Sequence, residues 1–370
     1  MSFLKKPEKI FKNILIIVGK KLFSQPPIEP KFPINRILVI RPSGIGDMIL
    51  SIPVLNSIRK NHPNSRIDVL CEPSNVGILQ GIQFVDNIYI FKKNIFEILK
   101  LVVKLKKADY DYLLNINGYP SFTFGILGRI VVPKFVRASG DQRKYSYFFN
   151  RIIDLPPRDR HHMLERLVIQ ASDLLGNNNF NLESPWFNYD DEITRKAGKL
   201  YGELLKSLKI KSNFPKIILV NLSAGQSKRE WTIEKFIEFL RISVEKYSDK
   251  IDGWVILTNP KEIKKSEGVV KNLNFEKVIA MPVEKDFRVI IALLKNISLV
   301  ISPDTSIVHA ASAMGTPVFD LILESNFFTW APIGSKVKAI TPNNNQDVNT
   351  IELKIMLNEF DSFLRKVLEN

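Results

Sequence analysis

The sequence predicts an α/β protein of two doubly wound parallel-sheet domains that face each other across a central cleft, and three observations predict it. At 370 residues the chain is long for a single hydrophobic core. Short apolar runs alternate with amphipathic stretches of ten or more residues, the pattern of parallel βαβ units. That series occurs twice, with a helical region at about 145–210 between the two copies.

The first series opens with RILVI at 36–40, an apolar run expected as a buried strand, and turns through RPSGIGD into a helix ending near residue 60. RIDVLCE (66–72), VDNIYIF (85–91) and YDYLLNI (110–116) follow as strands, with helices expected over SNVGILQG, NIFEILKLVVKLKKA and SFTFGILGRI. The second series alternates the strands KIILVNL (216–222), GWVILT (253–258), EKVIAM (276–281), SLVIS (298–302) and TPVFDLIL (316–323) with helices, among them 232–247, 286–296 and 306–315. Right-handed crossovers assemble such strands into sheets covered on both faces. The expected division is an N-terminal segment 1–33, a first domain 34–195, a second domain 196–345 and a closing helix within 346–370.

Apolar residues make up 45% of the chain and charged residues 25%, with no long polar tract, so a sizeable core can form. Cys71 is the one cysteine and the four histidines are scattered, which excludes an internal disulfide and a structural zinc site. A cytoplasmic setting is expected, with no metal and no cofactor. The apolar run ILIIVG at 14–19 falls far short of the roughly 20 residues that cross a bilayer. No small-residue cleavage site follows it.

The formal charge of +15 asks for an anionic partner. Nucleic acid is not expected, because the chain has no aromatic RNP signature, no finger spacing and no dense arginine block. Residues 1–27 interleave six lysines with Phe3, Leu4, Ile10, Phe11, Ile14, Ile17, Val18 and Leu22. This basic amphipathic pattern suits an anionic membrane surface, and equally a helix packed on the body with its lysines in water. The Pro-rich piece SQPPIEPKFP at 24–33 sets it apart from the body.

Ligands of doubly wound sheets sit at the carboxyl ends of the strands, so motifs there carry the chemistry. In LVISPDTSIVHAASAMGTPVFDLI (299–322) a strand ends before Asp304, Thr305 and Ser306, which start a helix of small residues. Backbone N–H groups at 305–307 and the helix dipole form an anion site fitted to a pyrophosphate, with His309 one turn on. The plainer reading makes Asp304 or Thr305 a cap and His309 a satisfied polar residue. In ILVNLSAGQSKREW (218–231), Ser223, Ala224 and Gly225 precede Lys228 and Arg229, a basic pair beside a small-residue loop, as phosphate oxygens require. In RPSGIGDMILSIPVL (41–55), Gly44 and Gly46 permit a tight turn but lack the third glycine of a dinucleotide fingerprint. That turn holds Asp47 at the sheet edge, as a general base or as a helix cap.

Taken together, the stretches ILVIRPSGIGDMILSIPVLNSIRK, ILVNLSAGQSKREW and SPDTSIVHAASAMGTPV resemble glycosyltransferase family 9, the heptosyltransferases of lipopolysaccharide core assembly, over roughly residues 34–345. The resemblance implies a GT-B architecture of two Rossmann-like domains and inverting, metal-independent transfer from a nucleotide sugar, usually ADP-heptose. It implies Asp47 as catalytic base, with Asp304, Thr305, Ser306 and His309 on the donor's phosphates and sugar. Ser223 and the basic residue of the second motif, Lys228 or Arg229, join them on the diphosphate. Two departures stand out: Ser306 where the family often has Gly, and SKREWT with an extra residue and Thr232 in place of Pro.

Ser43, Gly44, Gly46, Arg59, Lys60 and Arg143 are candidate contacts for an acidic acceptor such as a Kdo-containing lipid A core, with Arg137 and Lys144 beside them. A lipid-linked acceptor implies a peripheral position on the cytoplasmic face of the inner membrane. The competing functions are a nucleotide-sugar epimerase or hydrolase of the same fold, a glycosyltransferase with another donor, and a non-catalytic sugar-nucleotide or glycolipid binder.

Overall fold

The computed structural model describes residues 21, 24–117, 121–132, 136–140, 145–176, 180, 182, 186, 189–334, 336–342 and 347–369. The expected basic helix of the N-terminal segment and the candidates Arg143 and Lys144 lie outside the described residues. The chain forms two compact units, residues 1–157 with 164–181 and residues 158–163 with 182–370. The helix Asp191–Ser207 lies whole within the second.

The first unit holds a six-stranded sheet of β1 (Arg36–Ile40), β2 (Arg66–Cys71), β3 (Asn87–Ile90), β4 (Tyr112–Asn115), β5 (Val136–Ser139) and β6 (Arg151–Ile152). All neighbours are parallel and the order is β3-β2-β1-β4-β5-β6. β1 and β4 are buried along nearly their whole length, as strands covered on both faces must be. On one face the helices Ile95–Ala108 and Phe122–Val131 bury Leu101, Leu105, Phe124 and Leu127 against Leu38, Ile40 and Leu113. Burial of four such side chains stabilises by roughly 1.5–3 kcal/mol each.

The second unit repeats the plan with β7 (Ile217–Asn221), β8 (Gly253–Leu257), β9 (Val278–Ala280), β10 (Leu299–Pro303), β11 (Val318–Leu321) and β12 (Val337–Ile340) in the order β12-β11-β10-β7-β8-β9. Counted from its own first strand, this is the same order as in the first unit. The helix Leu353–Glu369 closes one face, its Phe360 meeting Phe239, Trp254 and Phe319 at ring distances of 5.1, 6.1 and 5.8 Å.

Three strands escaped the sequence reading. β5 reads VRAS with a charged residue at its second position, β6 has two residues, and β12 carries Lys338 among four residues, so none forms an apolar run. The Pro-rich piece is also tied down. Ile28 N–H donates to the Asn150 carbonyl at 2.9 Å, Gln25 accepts from Arg137 at 2.5 Å and Glu29 pairs with Arg151 at 2.6 Å. Among the described residues no helix is long and apolar enough to cross a membrane.

Candidate active site

In both sheets the strand order reverses between the first strand and the fourth while the strands stay parallel, and the loops leaving these two strands flank the crevice where ligands of such sheets bind. Asp47 follows β1. It stands at the third position of the helix Ile45–Asn61, whose cap residue is Gly44 and whose first turn receives no side-chain cap. The cap reading of Asp47 is therefore replaced by another. Its Oδ1 accepts from Arg41 Nη2 at 3.1 Å, and Arg41 is fully buried while Asp47 keeps 23% of its side chain exposed. Arg41 also donates to the Asp47 carbonyl at 2.9 and 3.2 Å and to the Ile116 carbonyl at 2.5 Å. One buried guanidinium thus fixes backbone and carboxylate together, leaving Oδ2 without a hydrogen bond among the described residues.

The glycines of this loop act through proximity and not through left-handed backbone. Gly44 has φ −65° and ψ 177°, and Gly46 lies in the helix's first turn with no positive φ. A β-carbon at Gly44 would stand 3.7 Å from Asp47 Oδ2, on the oxygen that is open. Ser43 donates to Asn117 Oδ1 at 3.2 Å, linking the loops after β1 and β4, and Asn75 donates to the Arg41 carbonyl at 3.1 Å and to the Ser43 carbonyl.

Three of the expected acceptor contacts are corrected. Arg59 and Lys60 end the helix that Asp47 begins; twelve residues at 1.5 Å put Arg59 about 18 Å further along the helix, back at the amino edge of the sheet. There Arg59 pairs with Asp86 at 2.5 Å and donates to the Ser65 carbonyl at 2.6 Å, as a clamp on the start of β2. Arg137 is fully buried and donates to the carbonyls of Phe148 and Val132 at 2.9 and 2.6 Å. Burial, with Arg129 nearby, pulls its guanidinium down to about 10.

The second unit gathers the other two motifs at the ends of β7 and β10. Asn221, the last residue of β7, donates to Ser302 Oγ at 2.9 Å, to Thr305 Oγ1 at 3.3 Å and to the Ser223 carbonyl at 3.0 Å, which fastens one loop to the other. Thr305 is the cap residue of the helix Ser306–Met314, yet its side chain makes no capping hydrogen bond. Its first N–H groups and positive dipole end are left for an anion. His309 is buried on this helix beside Trp330, ring centroids 6.5 Å apart.

Lys228 and Arg229 are separated by their partners. Arg229 Nη1 lies 3.2 Å from Asp304 Oδ2 and 3.3 Å from the Asp304 carbonyl, and Asn326 donates to the same carboxylate at 3.1 Å. Asp304 is 3% exposed, so its carboxylate holds the loop and does not face a ligand. Lys228 is exposed and has no ion pair among the described residues. Two residues past Arg229, Trp231 is buried and donates to the Ile351 carbonyl at 3.1 Å, anchoring the loop. Ser223 is likewise committed: it donates to Glu262 at 2.6 Å and accepts from Asn259 N–H at 2.8 Å, and hydrogen bonds from Lys265 and Ser223 hold Glu262 below the usual carboxylate range.

Behind Asp304, Asp320 on β11 is fully buried with neither carboxylate oxygen hydrogen-bonded, and burial, reinforced by Asp304, raises it well above the usual carboxylate range. Arg41, Asn75, Asn117, Asn221 and Asp320 were not singled out from the sequence. Arg41 directly follows a strand in front of the glycine loop, a position that was its one signal.

Residues 98–357 match the model of glycosyltransferase family 9 (heptosyltransferase). The lipopolysaccharide heptosyltransferase 3 of Escherichia coli K12 is 21% identical over 318 residues, covering 82% of this chain and 87% of the relative. The glycosyl transferase family 9 protein of Veillonella parvula superposes with a TM-score of 0.77 at 17% identity, over 92% of this chain and all of that one. The E. coli ADP-heptose lipopolysaccharide heptosyltransferase II gives 0.68 at 18% identity, over 90% and 99%.

Proposed function

Because the chain belongs to glycosyltransferase family 9 and is a glycosyltransferase, we propose that it moves a heptose from ADP-heptose to an inner-core lipopolysaccharide acceptor, with inversion and without a metal. Asp47 takes the proton of the acceptor hydroxyl as that oxygen bonds to the anomeric carbon. The bond from that carbon to the phosphate oxygen breaks on the opposite face, and ADP leaves with the electron pair. Negative charge growing on the diphosphate meets the N–H groups at the start of helix Ser306–Met314 and the ammonium of Lys228, a preorganised counter-charge in the role a metal plays elsewhere. The partly exposed Thr305 and Ser306 face the donor, with His309 buried on the same helix, while Asp304 and Arg229 hold that loop in shape.

The observation that carries this reading is Asp47 itself. A carboxylate at the switch point of the sheet, clamped by a buried arginine through one oxygen and open at the other, has the geometry of a general base. The acceptor is expected to be a Kdo-bearing lipid A core, read by Ser43 and the loops after β1 and β4, and the enzyme to work at the cytoplasmic face of the inner membrane.

Asp47→Asn keeps the shape and removes the base, so kcat should fall about 10²–10⁴-fold in a mass-spectrometric assay with ADP-heptose and lipid A–Kdo acceptor. Chelator should leave wild-type turnover unchanged. Full activity in Asp47→Asn removes the base assignment; heptose transfer abolished by chelator removes the metal-free mechanism; and preference for UDP over ADP in titrations redirects the donor.

A further inference from the structure

The helix Ile95–Ala108 carries an apolar stripe that stands exposed among the described residues of the first unit. Ile95, Phe96, Leu99 and Val103 are 61, 70, 56 and 53% exposed, while Leu101, Leu105 and Ala108 of the same helix are buried against the sheet. At about 100° per residue the four exposed apolar side chains fall within roughly 100° of arc, and Lys107, Lys100 and Lys104 occupy about the next 60°. The buried residues take the other side.

Phe122 and Ile130, on the helix packed beside it, are exposed to 37 and 40%. A soluble surface rarely gathers so many large apolar side chains without a partner.

The partner's chemistry follows from the charges. Between residues 92 and 107 stand Lys92, Lys93, Lys100, Lys104, Lys106 and Lys107 against one acidic residue, Glu97. All six lysines are exposed, and Glu97 pairs only with Lys100 at 3.4 Å and Lys92 at 4.0 Å. An apolar stripe of a little over two turns bordered by exposed ammonium groups, of which Lys100 and Lys92 alone share Glu97, matches an anionic bilayer surface, with the stripe at the acyl boundary and the lysines among the headgroups. A protein partner would need a matching acidic rim around an apolar groove; a bilayer supplies both along any direction of the helix.

The helix begins at Asn94, at the carboxyl edge of β3, the edge of the sheet that also carries Asp47. We infer that helix Ile95–Ala108 is the membrane-docking element of the first unit, laying that edge against anionic lipid where a lipid-linked acceptor is presented. This deepens the reading of the acceptor as lipid-linked and rests on it for its purpose, though not for its physics.

The test is co-sedimentation of the full chain with vesicles of phosphatidylglycerol and phosphatidylethanolamine, and with pure phosphatidylcholine, in the absence of nucleotide and acceptor. The stripe variant Phe96→Glu/Leu99→Glu and the charge variant Lys100→Glu/Lys104→Glu/Lys107→Glu change exposed side chains only, and their unchanged circular dichroism and melting confirm folding. Each should bind anionic vesicles at least about tenfold more weakly than wild type, with phosphatidylcholine binding weak throughout. A chain lacking residues 1–23, which keeps the anchored Gln25, Ile28 and Glu29, should retain most of the binding.

Wild-type-like binding by both variants overturns the inference, as does loss of binding on removing residues 1–23 alone. So does a wild-type dimer that Phe96→Glu/Leu99→Glu turns into a monomer in sedimentation velocity, which would make the stripe a self-association face. Transfer to a deacylated, water-soluble acceptor separates the two readings: the stripe variant should match wild type there, and absence of transfer by wild type would count against the proposed reaction while leaving the vesicle result standing.

Discussion

Lys228 and Arg229 differ in what their charges already hold. The Arg229 guanidinium is spent on the nearly buried Asp304, and removing it strands a carboxylate in low dielectric; Arg229→Ala should lower stability by about 2–4 kcal/mol, visible in the melting temperature. Lys228 is spent on nothing among the described residues. Lys228→Ala should melt like wild type yet raise the KM for ADP-heptose about tenfold, the worth of one charge-assisted hydrogen bond. An Arg229 variant as stable as wild type with a raised KM would reverse the two assignments. Sequence reasoning reached the pair and could not divide it, because which cation is neutralised depends on Asp304, 75 residues away. From the glycine loop Asp47 reads as a base or as a cap, and only the family resemblance chooses the base. Arg41 was not, since an arginine after a strand reads as surface charge until the fold buries it.

Elements built on apolar periodicity were legible; elements whose identity comes from a neighbour were not. β5 is a strand because β4 and β6 pair with it, and its Arg137 is tolerated because backbone carbonyls and Gln25 receive the guanidinium. At the other end of the chain, helices Ile233–Lys246 and Leu353–Glu369 meet at Asp361, which accepts from Lys246 at 2.5 Å and from Tyr247 and Arg365. Lys246 and Tyr247, followed by Arg365, hold its carboxyl down to about 2.

A depressed carboxylate stabilises the fold above the ordinary aspartate range and loses that contribution as pH falls toward 2. Asp361→Asn should therefore cost about 1 kcal/mol at pH 7, discounted for solvent around the lysine and arginine, with the cost shrinking as pH falls and vanishing only below pH 2. Melting curves of the two proteins that stay parallel down to pH 2 would show that Asp361 is not the titrating contact.

Over the whole molecule the sequence made two sheets plain, because each is a run of buried strands at regular spacing. It did not reveal that both share one strand order, which depends on pairings of residues far apart in the chain. The proposed division of labour places the base in the first unit and the nucleotide contacts in the second. Calorimetric titration with ADP should then give Asp47→Asn the wild-type Kd and Lys228→Ala a Kd about tenfold higher. A tenfold loss in Asp47→Asn would mean that the nucleotide touches the first unit.

The helix Leu353–Glu369 places Met356, Phe360 and Leu364 at the centre of the second unit's core, after all six of its strands have been specified. On the ribosome, a nascent chain that has already released β7 to β12 still lacks those side chains, and the apolar face they cover stays open to chaperones and to other chains. The first unit can close early in synthesis, whereas the second waits for the helix that follows β12. A ribosome stalled at codon 350 would thus carry one finished unit and one that is still collecting its core.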